Sequence, residues 1–161
     1  MANIALTTIG VKVSYCVETT AGTRPTTDYI HIAGLRSTPD FNQAPSTGDG
    51  TTFENKTYTT KVPLLRELPD SLEFGAVLGQ EFFDTWSALV SAFNTAKESG
   101  KSVWFCIDIP GLDKSMYFTG EPIAMGVPAM EQNSVIESPV YIVPTGEPEL
   151  DEDPTYKTNI A

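Results

Sequence analysis

Positive charge, histidine and long apolar runs are all scarce in this sequence. Its 161 residues include 10 Lys and Arg against 21 Asp and Glu, a formal net charge of −11 at pH 7. DNA and anionic membranes are bound through clustered cationic side chains, so we expect this surface to repel both. No stretch approaches the roughly twenty apolar residues of a membrane span. The opening MANIALTTIG also lacks the basic region of a secretory signal, so we expect folding in a cytosol.

Residue types that carry catalysis or bind metals are equally sparse. The single histidine, His31, stands between Ile30 and Ile32, a setting typical of a packing residue in a strand. A triad could be written from Ser37, His31 and Asp28, but no nucleophile-elbow motif accompanies it. The sequence has no Gly-rich phosphate loop, no HExxH motif and no CxxC pair. We therefore predict no enzymatic activity, no cofactor and no metal site.

The two cysteines, Cys16 and Cys106, lie in apolar, strand-like stretches. Neither has a second Cys or a His at metal-binding spacing, so both are predicted to be buried free thiols. Whether they meet in a disulfide is left open by the sequence.

Alternation of apolar and polar residues is the dominant pattern of the chain and predicts strands. The predicted strands cover residues 11–17, 28–35, 71–78, 101–109, 115–123 and 134–144. One helix is predicted over about 80–99, where a stripe of apolar residues recurs at helical spacing. The stripe consists of Phe82, Trp86, Leu89, Val90 and Phe93. Strands, one helix and more strands predict a mainly β fold, an antiparallel sandwich or barrel-like sheet with one flanking helix.

Three segments have little local reason to fold. They are an N-terminal arm (1–10), a long polar connection (42–61) inside the main domain (11–146), and an acidic C-terminal tail (147–161) predicted to be disordered. Connections of about twenty residues are uncommon in compact domains and are usually functional or disordered. A neighbouring chain could order such segments, which favours a binding or structural role.

The order of these features resembles the tail tube (major tail) protein of long, non-contractile-tailed bacteriophages. The resemblance covers roughly residues 8–150. It rests on AGLRSTPDFNQAPS followed by the polar connection, on SLEFGAVLGQEFFDTWSALVSAFNTAKESGKSVWFCIDIPG, and on the closing KSMYFTGEPIAMGVPAMEQNSVIESPVYIVPTGEPEL. It implies a subunit that forms hexameric rings, which stack into a tube that carries double-stranded DNA into the host. The expected location is the virion tail, after assembly in the host cytoplasm.

The resemblance also implies partners and residue roles. The expected partners are other copies of the chain, a tape measure protein, a tail tip or initiator protein and a tail terminator, with DNA passing unbound and no membrane contact. Apolar anchors of the arm and the polar connection would be Ile4, Leu6, Ile9, Phe41, Phe53 and Tyr58. Candidate acids of a DNA-repelling lumen are Glu73, Asp108, Asp113 and Glu137.

Two alternatives stay open at this point. The chain could instead form the inner tube of a contractile tail or of a phage-tail-like bacteriocin. It could also be a carbohydrate-binding β-sandwich, with Trp104, Tyr117 and Tyr141 as a sugar platform.

Overall fold

An antiparallel sheet and one helix form most of the structure, a computed structural model that describes residues 5–157. The elements are β1 (Lys12–Val17), β2 (Ile30–His31), β3 (Leu35–Ser37), β4 (Thr47–Asp49), β5 (Lys61–Pro63), β6 (Leu72–Val77), α1 (Gln80–Glu98), β7 (Val103–Asp108), β8 (Lys114–Pro122), β9 (Glu137–Pro144) and β10 (Glu149–Glu152). The main sheet runs β2-β1-β7-β8-β9-β6-β3, with β10 added to β8, while β4 and β5 pair separately. The predicted mainly β, antiparallel architecture with one helix is confirmed.

Helix α1 begins at Gln80 and ends at Glu98, close to the predicted bounds. Phe82, Trp86 and Leu89 are buried, whereas Val90 and Phe93 are partly buried and pack at the margin of the same cluster. The Trp86 Nε1–H donates to the backbone carbonyl oxygen of Ile123 across 3.0 Å, which ties the helix to the chain leaving β8. No helix among residues 5–157 combines the length and the apolar character that a membrane span requires.

The main core lies between α1 and one face of the sheet. Phe105 and Phe118 stack there with ring centroids 5.3 Å apart, because β7 and β8 place them directly opposite each other. Leu72 and Phe74 of β6 complete the same layer and are almost fully buried. Each such side chain stabilises the fold by about 1.5–3 kcal/mol when it leaves water.

A second, smaller cluster lies on the opposite face of β1, β7 and β8. It is built from Cys16, Tyr29, Cys106 and Tyr117. Since β7 has apolar neighbours on both faces, its sequence reads as a continuous apolar run instead of an alternation. Both cysteines are buried free thiols, as predicted.

The predicted strand over 28–35 is two short strands in the structure, β2 and β3, which stand at opposite ends of the strand order. Gly34 separates them with a φ of +93°, a left-handed conformation that glycine adopts without strain. A Cβ on Gly34 would lie 3.2 Å from Cβ of Phe82, so close packing of the helix also favours glycine here.

The prediction of a disordered tail over 147–161 is wrong for residues 149–152. They form β10, with Leu150 opposite Met116 and Glu152 opposite Lys114 on β8. The acidic residues are tolerated because Arg24, distant in sequence, forms ion pairs with Glu149 and with a second carboxylate of β10. Residues 158–161 lie outside the described part of the chain.

Candidate assembly surfaces

The polar connection 42–61 is not structureless, because it contains most of a β-hairpin. The stem pairs Thr47 with Pro63 and Asp49 with Lys61, and residues 50–60 form the tip. Short-range bonds organise the tip: the Asp49 carboxylate accepts from the Thr51 N–H at 2.9 Å and from the Thr51 hydroxyl at 2.6 Å. This hairpin belongs to no larger sheet, and isolated two-stranded hairpins are marginally stable in water.

The predicted apolar anchors divide into two groups. Phe53 is fully exposed and Tyr58 is 84% exposed, so the hairpin tip presents both aromatic rings to solvent. Phe41, in contrast, packs inward, with its ring centroid 5.2 Å from that of Phe118. Phe41 is partly buried against the main core, and its remaining surface lines a groove beside the hairpin.

The described part of the N-terminal arm carries two of the other predicted anchors. Leu6 and Ile9 are both exposed. Leu6 lies over the turn between β7 and β8, where a Cβ added to Gly111 would come within 2.7 Å of its Cδ2 atom. Ile4 lies outside the described residues.

A groove of mixed apolar and polar lining opens beside the base of the hairpin. Its volume is about 880 Å³, and core residues such as Phe118 and Leu72 contribute to its lining. Its lining also includes Leu65 and Leu68, which follow the hairpin stem, and Leu150 of β10. All three leucines are exposed, at 89%, 42% and 68% respectively. We call this feature the stem groove.

The side of β8, β9 and β6 turned away from α1 is open and carries three glutamates. Glu73 of β6 stands opposite Tyr141, Glu121 of β8 stands opposite Val143, and Glu137 of β9 completes the set. Strand alternation places all three on this side, since their neighbours in each strand are buried. We call this surface the glutamate face.

Two of the four predicted lumen acids, Glu73 and Glu137, belong to the glutamate face. The third glutamate, Glu121, was missed, although the alternation in the predicted strand 115–123 could have placed it there. Glu137 also forms an ion pair with Arg36 of β3. Both partners are more than half exposed, so this pair contributes little stability but neutralises a cation beside the face.

The other two predicted acids lie elsewhere. Asp108 ends β7 and accepts a hydrogen bond from the Tyr156 hydroxyl at 3.1 Å, so the C-terminal segment partly covers it. Asp113 is exposed in the connection between β7 and β8. Neither residue is brought to the glutamate face.

The C-terminal segment is fastened across the second cluster. Arg24 pairs with Asp151, lies 3.3 Å from Glu149 (Nη1 to Oε1), and places its guanidinium 4.2 Å from the centre of the Tyr117 ring. The backbone N–H of Glu152 and the Arg24 guanidinium hold the pKa of Asp151 below its usual range. Beneath this segment, burial raises the pKa of both cysteine thiols to about 11.

The residues proposed for other chemistries are not assembled into sites. Tyr117 is buried and Trp104 donates its Nε1–H to Glu18 at 2.8 Å within the second cluster, so neither joins the exposed Tyr141 in a sugar platform. The hydroxyl oxygen of Ser37, in β3, accepts a hydrogen bond from the backbone N–H of Gly75 at 3.1 Å. This hydroxyl therefore takes part in the pairing of β3 with β6. Within residues 5–157, no group of three or more His, Cys, Asp or Glu side chains is placed to hold a metal ion.

Comparison with known proteins supports the fold. No family model and no curated protein matches the sequence. Among solved structures, the chain is similar to a component of the anti-feeding prophage baseplate, determined by cryo-EM with sixfold symmetrisation. The two chains are 10% identical with a TM-score of 0.56, over 94% of this chain and 98% of the other. This fold therefore occurs in a component of a prophage baseplate.

Proposed function

We propose that this protein is a structural, non-catalytic subunit of a phage tail. In this proposal copies of the chain associate into hexameric rings, and the rings stack into a tube through which double-stranded DNA passes. Assembly takes place in the host cytoplasm, and the finished tube belongs to the virion tail. The tape measure, the tail tip or initiator and the terminator are its expected partners.

The observation that carries the proposal is the projecting hairpin with its uncovered aromatic rings. Phe53 and Tyr58 bury almost nothing within their own chain, and aromatic side chains are the residues that most often anchor protein interfaces. A hairpin held only by its own two strands gains stability when a neighbouring copy covers it. Occurrence of the same fold in a sixfold-symmetrised baseplate supports a ring-forming role.

The glutamate face is the surface that we expect to line the lumen of the tube. With α1 covering one side of the sheet and the C-terminal segment covering the second cluster, the glutamate face is the part of the opposite side that would line a channel when copies close into a ring. Glu73 and Glu121 would repel the phosphates of passing DNA, while the Arg36 charge is neutralised by Glu137. DNA binds to cationic surfaces because their side chains release counterions from the phosphates. A negatively charged channel causes no such release, so it does not hold the passing DNA.

Electron microscopy of the concentrated protein tests the proposal. The test variant replaces residues 50–60 with Asn-Gly, a two-residue turn that joins Asp49 directly to the facing Lys61 and keeps the stem. We expect hollow tubes from the wild type and none from the variant, with unchanged thermal unfolding. Tubes of normal length from the variant, or a wild type that stays monomeric at every concentration, would overturn the proposal.

A second candidate is a ring or inner-tube subunit of a contractile tail or a phage-tail-like bacteriocin. The similarity to a baseplate component favours it specifically. The same images distinguish a baseplate ring subunit from a tube subunit. A baseplate ring subunit forms closed rings that do not stack, whereas a tube subunit forms long filaments.

A further inference from the structure

The C-terminal segment crosses one face of the sheet, and we call residues 149–157 the strap. Its first part, β10, pairs with residues 114–117 of β8. Its last part runs beside the segment that precedes β2. There the Tyr29 N–H donates to the Thr155 carbonyl oxygen at 3.2 Å, and the Lys157 N–H donates to the Tyr29 carbonyl oxygen at 2.9 Å. Backbone pairing therefore holds the strap at both ends, while its middle spans the second cluster.

The buried thiol of Cys106 lies in the cluster that the strap covers. Cys106 is fully buried and stands opposite Tyr117 in the pairing of β7 with β8. The Tyr117 hydroxyl donates to the carbonyl oxygen of Glu152 in the strap. The Ser115 hydroxyl donates to the carboxylate of Asp153, also in the strap, at 2.6 Å. A reagent that approaches Cys106 from this face must therefore displace the strap.

The strap also covers one edge of β8. On this strand β9 pairs with residues 120–122, and β10 pairs with residues 114–117. Strand β7 lies on the other side of residues 116 and 117. Displacement of β10 would leave backbone N–H and C=O groups of β8 without their partners, and unpaired strand edges associate readily with other chains.

Polar contacts hold the strap in place. Of residues 149–157, all of which the structure describes, only Pro154 is buried, and none belongs to the main core. The guanidinium of Arg24 pairs with Glu149 and Asp151 of the strap, and the Arg24 side chain is 16% exposed. A segment that buries little apolar surface opens at a lower free energy than a packed core element does.

We propose that the strap opens as a unit without unfolding of the main core, and that Arg24 is the side chain that keeps it closed. The closed strap keeps Cys106 unreactive and prevents the edge of β8 from pairing with another chain. The Thr145 N–H donates to the Thr119 carbonyl oxygen at 3.0 Å, so the hinge follows Thr145, at residues 146–148. All of these contacts lie within one chain, so the free subunit is sufficient for the test.

Alkylation of Cys106 in the free subunit measures the opening. Wild-type protein is treated with N-ethylmaleimide in a series of urea concentrations below the unfolding transition, and peptide mass spectrometry follows the modification of Cys106. The dependence of the labelling rate on urea reports how much surface is exposed by the opening that admits the reagent. Circular dichroism gives the urea dependence of global unfolding for the same protein.

Three variants test the role of Arg24. Arg24→Ala removes both ion pairs and should raise the labelling rate of Cys106 roughly tenfold or more, because charge-assisted hydrogen bonds are lost from the closed state alone. Arg24→Lys keeps the charge but not the planar fork, so its rate should lie between those two. Arg36→Ala is the matched control, since Arg36 also pairs with a strand glutamate, Glu137, but away from the strap. Its labelling rate should equal that of the wild type.

Hydrogen exchange tests whether the strap opens as a unit. Arg24 contacts the β10 end, whereas the amides of Thr155 and Lys157 are bonded at the far end, to the carbonyl oxygens of Thr26 and Tyr29. Arg24→Ala should accelerate exchange of both amides as much as it accelerates the labelling of Cys106. Acceleration confined to β10 would overturn opening as a unit.

The urea series separates local from global opening. We expect the labelling of Cys106 to depend on urea much more weakly than global unfolding does, in the wild type and in Arg24→Ala alike. Equal urea dependences would overturn the proposal, because the thiol would then become accessible only when the whole fold opens. Equal labelling rates in Arg24→Ala and the wild type would overturn the role of Arg24.

Discussion

Replacing Trp86 by Phe tests whether the indole N–H, and not only the ring, holds α1 to the sheet. Trp86 is 2% exposed, and its ring lies against that of Phe82 with centroids 5.9 Å apart. Its Nε1–H donates to the carbonyl of Ile123 at 3.0 Å. Phenylalanine keeps an aromatic ring at this position but removes the donor and part of the volume.

The expected cost is the sum of two effects. Removing the donor leaves the Ile123 carbonyl without its indole partner, which costs about 1–3 kcal/mol. The smaller ring leaves a void in a packed layer and adds about 1 kcal/mol. Trp86→Phe should therefore lower the free energy of unfolding by about 2–4 kcal/mol, equivalent to roughly 4–16 °C in Tm for a domain of this size.

Urea unfolding followed by far-UV circular dichroism measures this difference. The matched control is Phe83→Ala on the same helix, because Phe83 is 48% exposed and should change stability much less than Trp86→Phe does. A loss below about 0.5 kcal/mol for Trp86→Phe, within the range of surface substitutions, would refute the reasoning. So would a larger loss for the exposed control.

Three other outcomes follow from the same structure. In the free subunit, amides across 47–63 should exchange faster than those of 82–98, because a lone hairpin opens more readily than a packed helix; equal protection in hydrogen exchange would contradict this. The pKa of Asp151 is lowered in the fold, so its stabilising effect is complete above the unfolded-state pKa and is lost as pH falls through the folded-state value. The acid-induced fall in Tm should thus be smaller in Asp151→Asn than in the control Asp113→Asn, and identical profiles would count against the ion pair. Burial raises the pKa of Cys106 to about 11, so it should react with a thiol reagent at about pH 8 far more slowly in the folded than in the unfolded protein; fast native labelling would be inconsistent with the second cluster.

Local periodicity was sufficient to predict the helix and most of the main sheet. The stripe that includes Phe82 and Leu89 repeats at helical spacing over about three turns, a period that a β-strand does not produce. The break at Gly34 was not predictable in this way. Its positive φ matters because α1 packs against it, and that contact joins segments far apart in the chain.

Contacts between residues far apart in the sequence also explain why β10 and the β4–β5 hairpin were not predicted. The acidic density of 147–153 suggests repulsion, and only the folded chain brings Arg24 to it, 127 residues before Asp151. The hairpin is not closed by a two-residue turn, since eleven residues separate Asp49 from Lys61, and the Asp49-Gly50 turn signal does not mark its tip. Of the candidate assembly residues, Phe53 was recognisable as an aromatic ring in a polar segment, while Phe41 was not distinguishable from it before the core was known.

A three-dimensional cryo-EM reconstruction of filaments grown from the purified protein tests the central claim most directly. The account predicts stacked sixfold rings whose channel is lined by the glutamate face, with Glu73 and Glu121 toward the lumen and α1 turned outward. A channel lined by α1, or filaments built without closed rings, would contradict it.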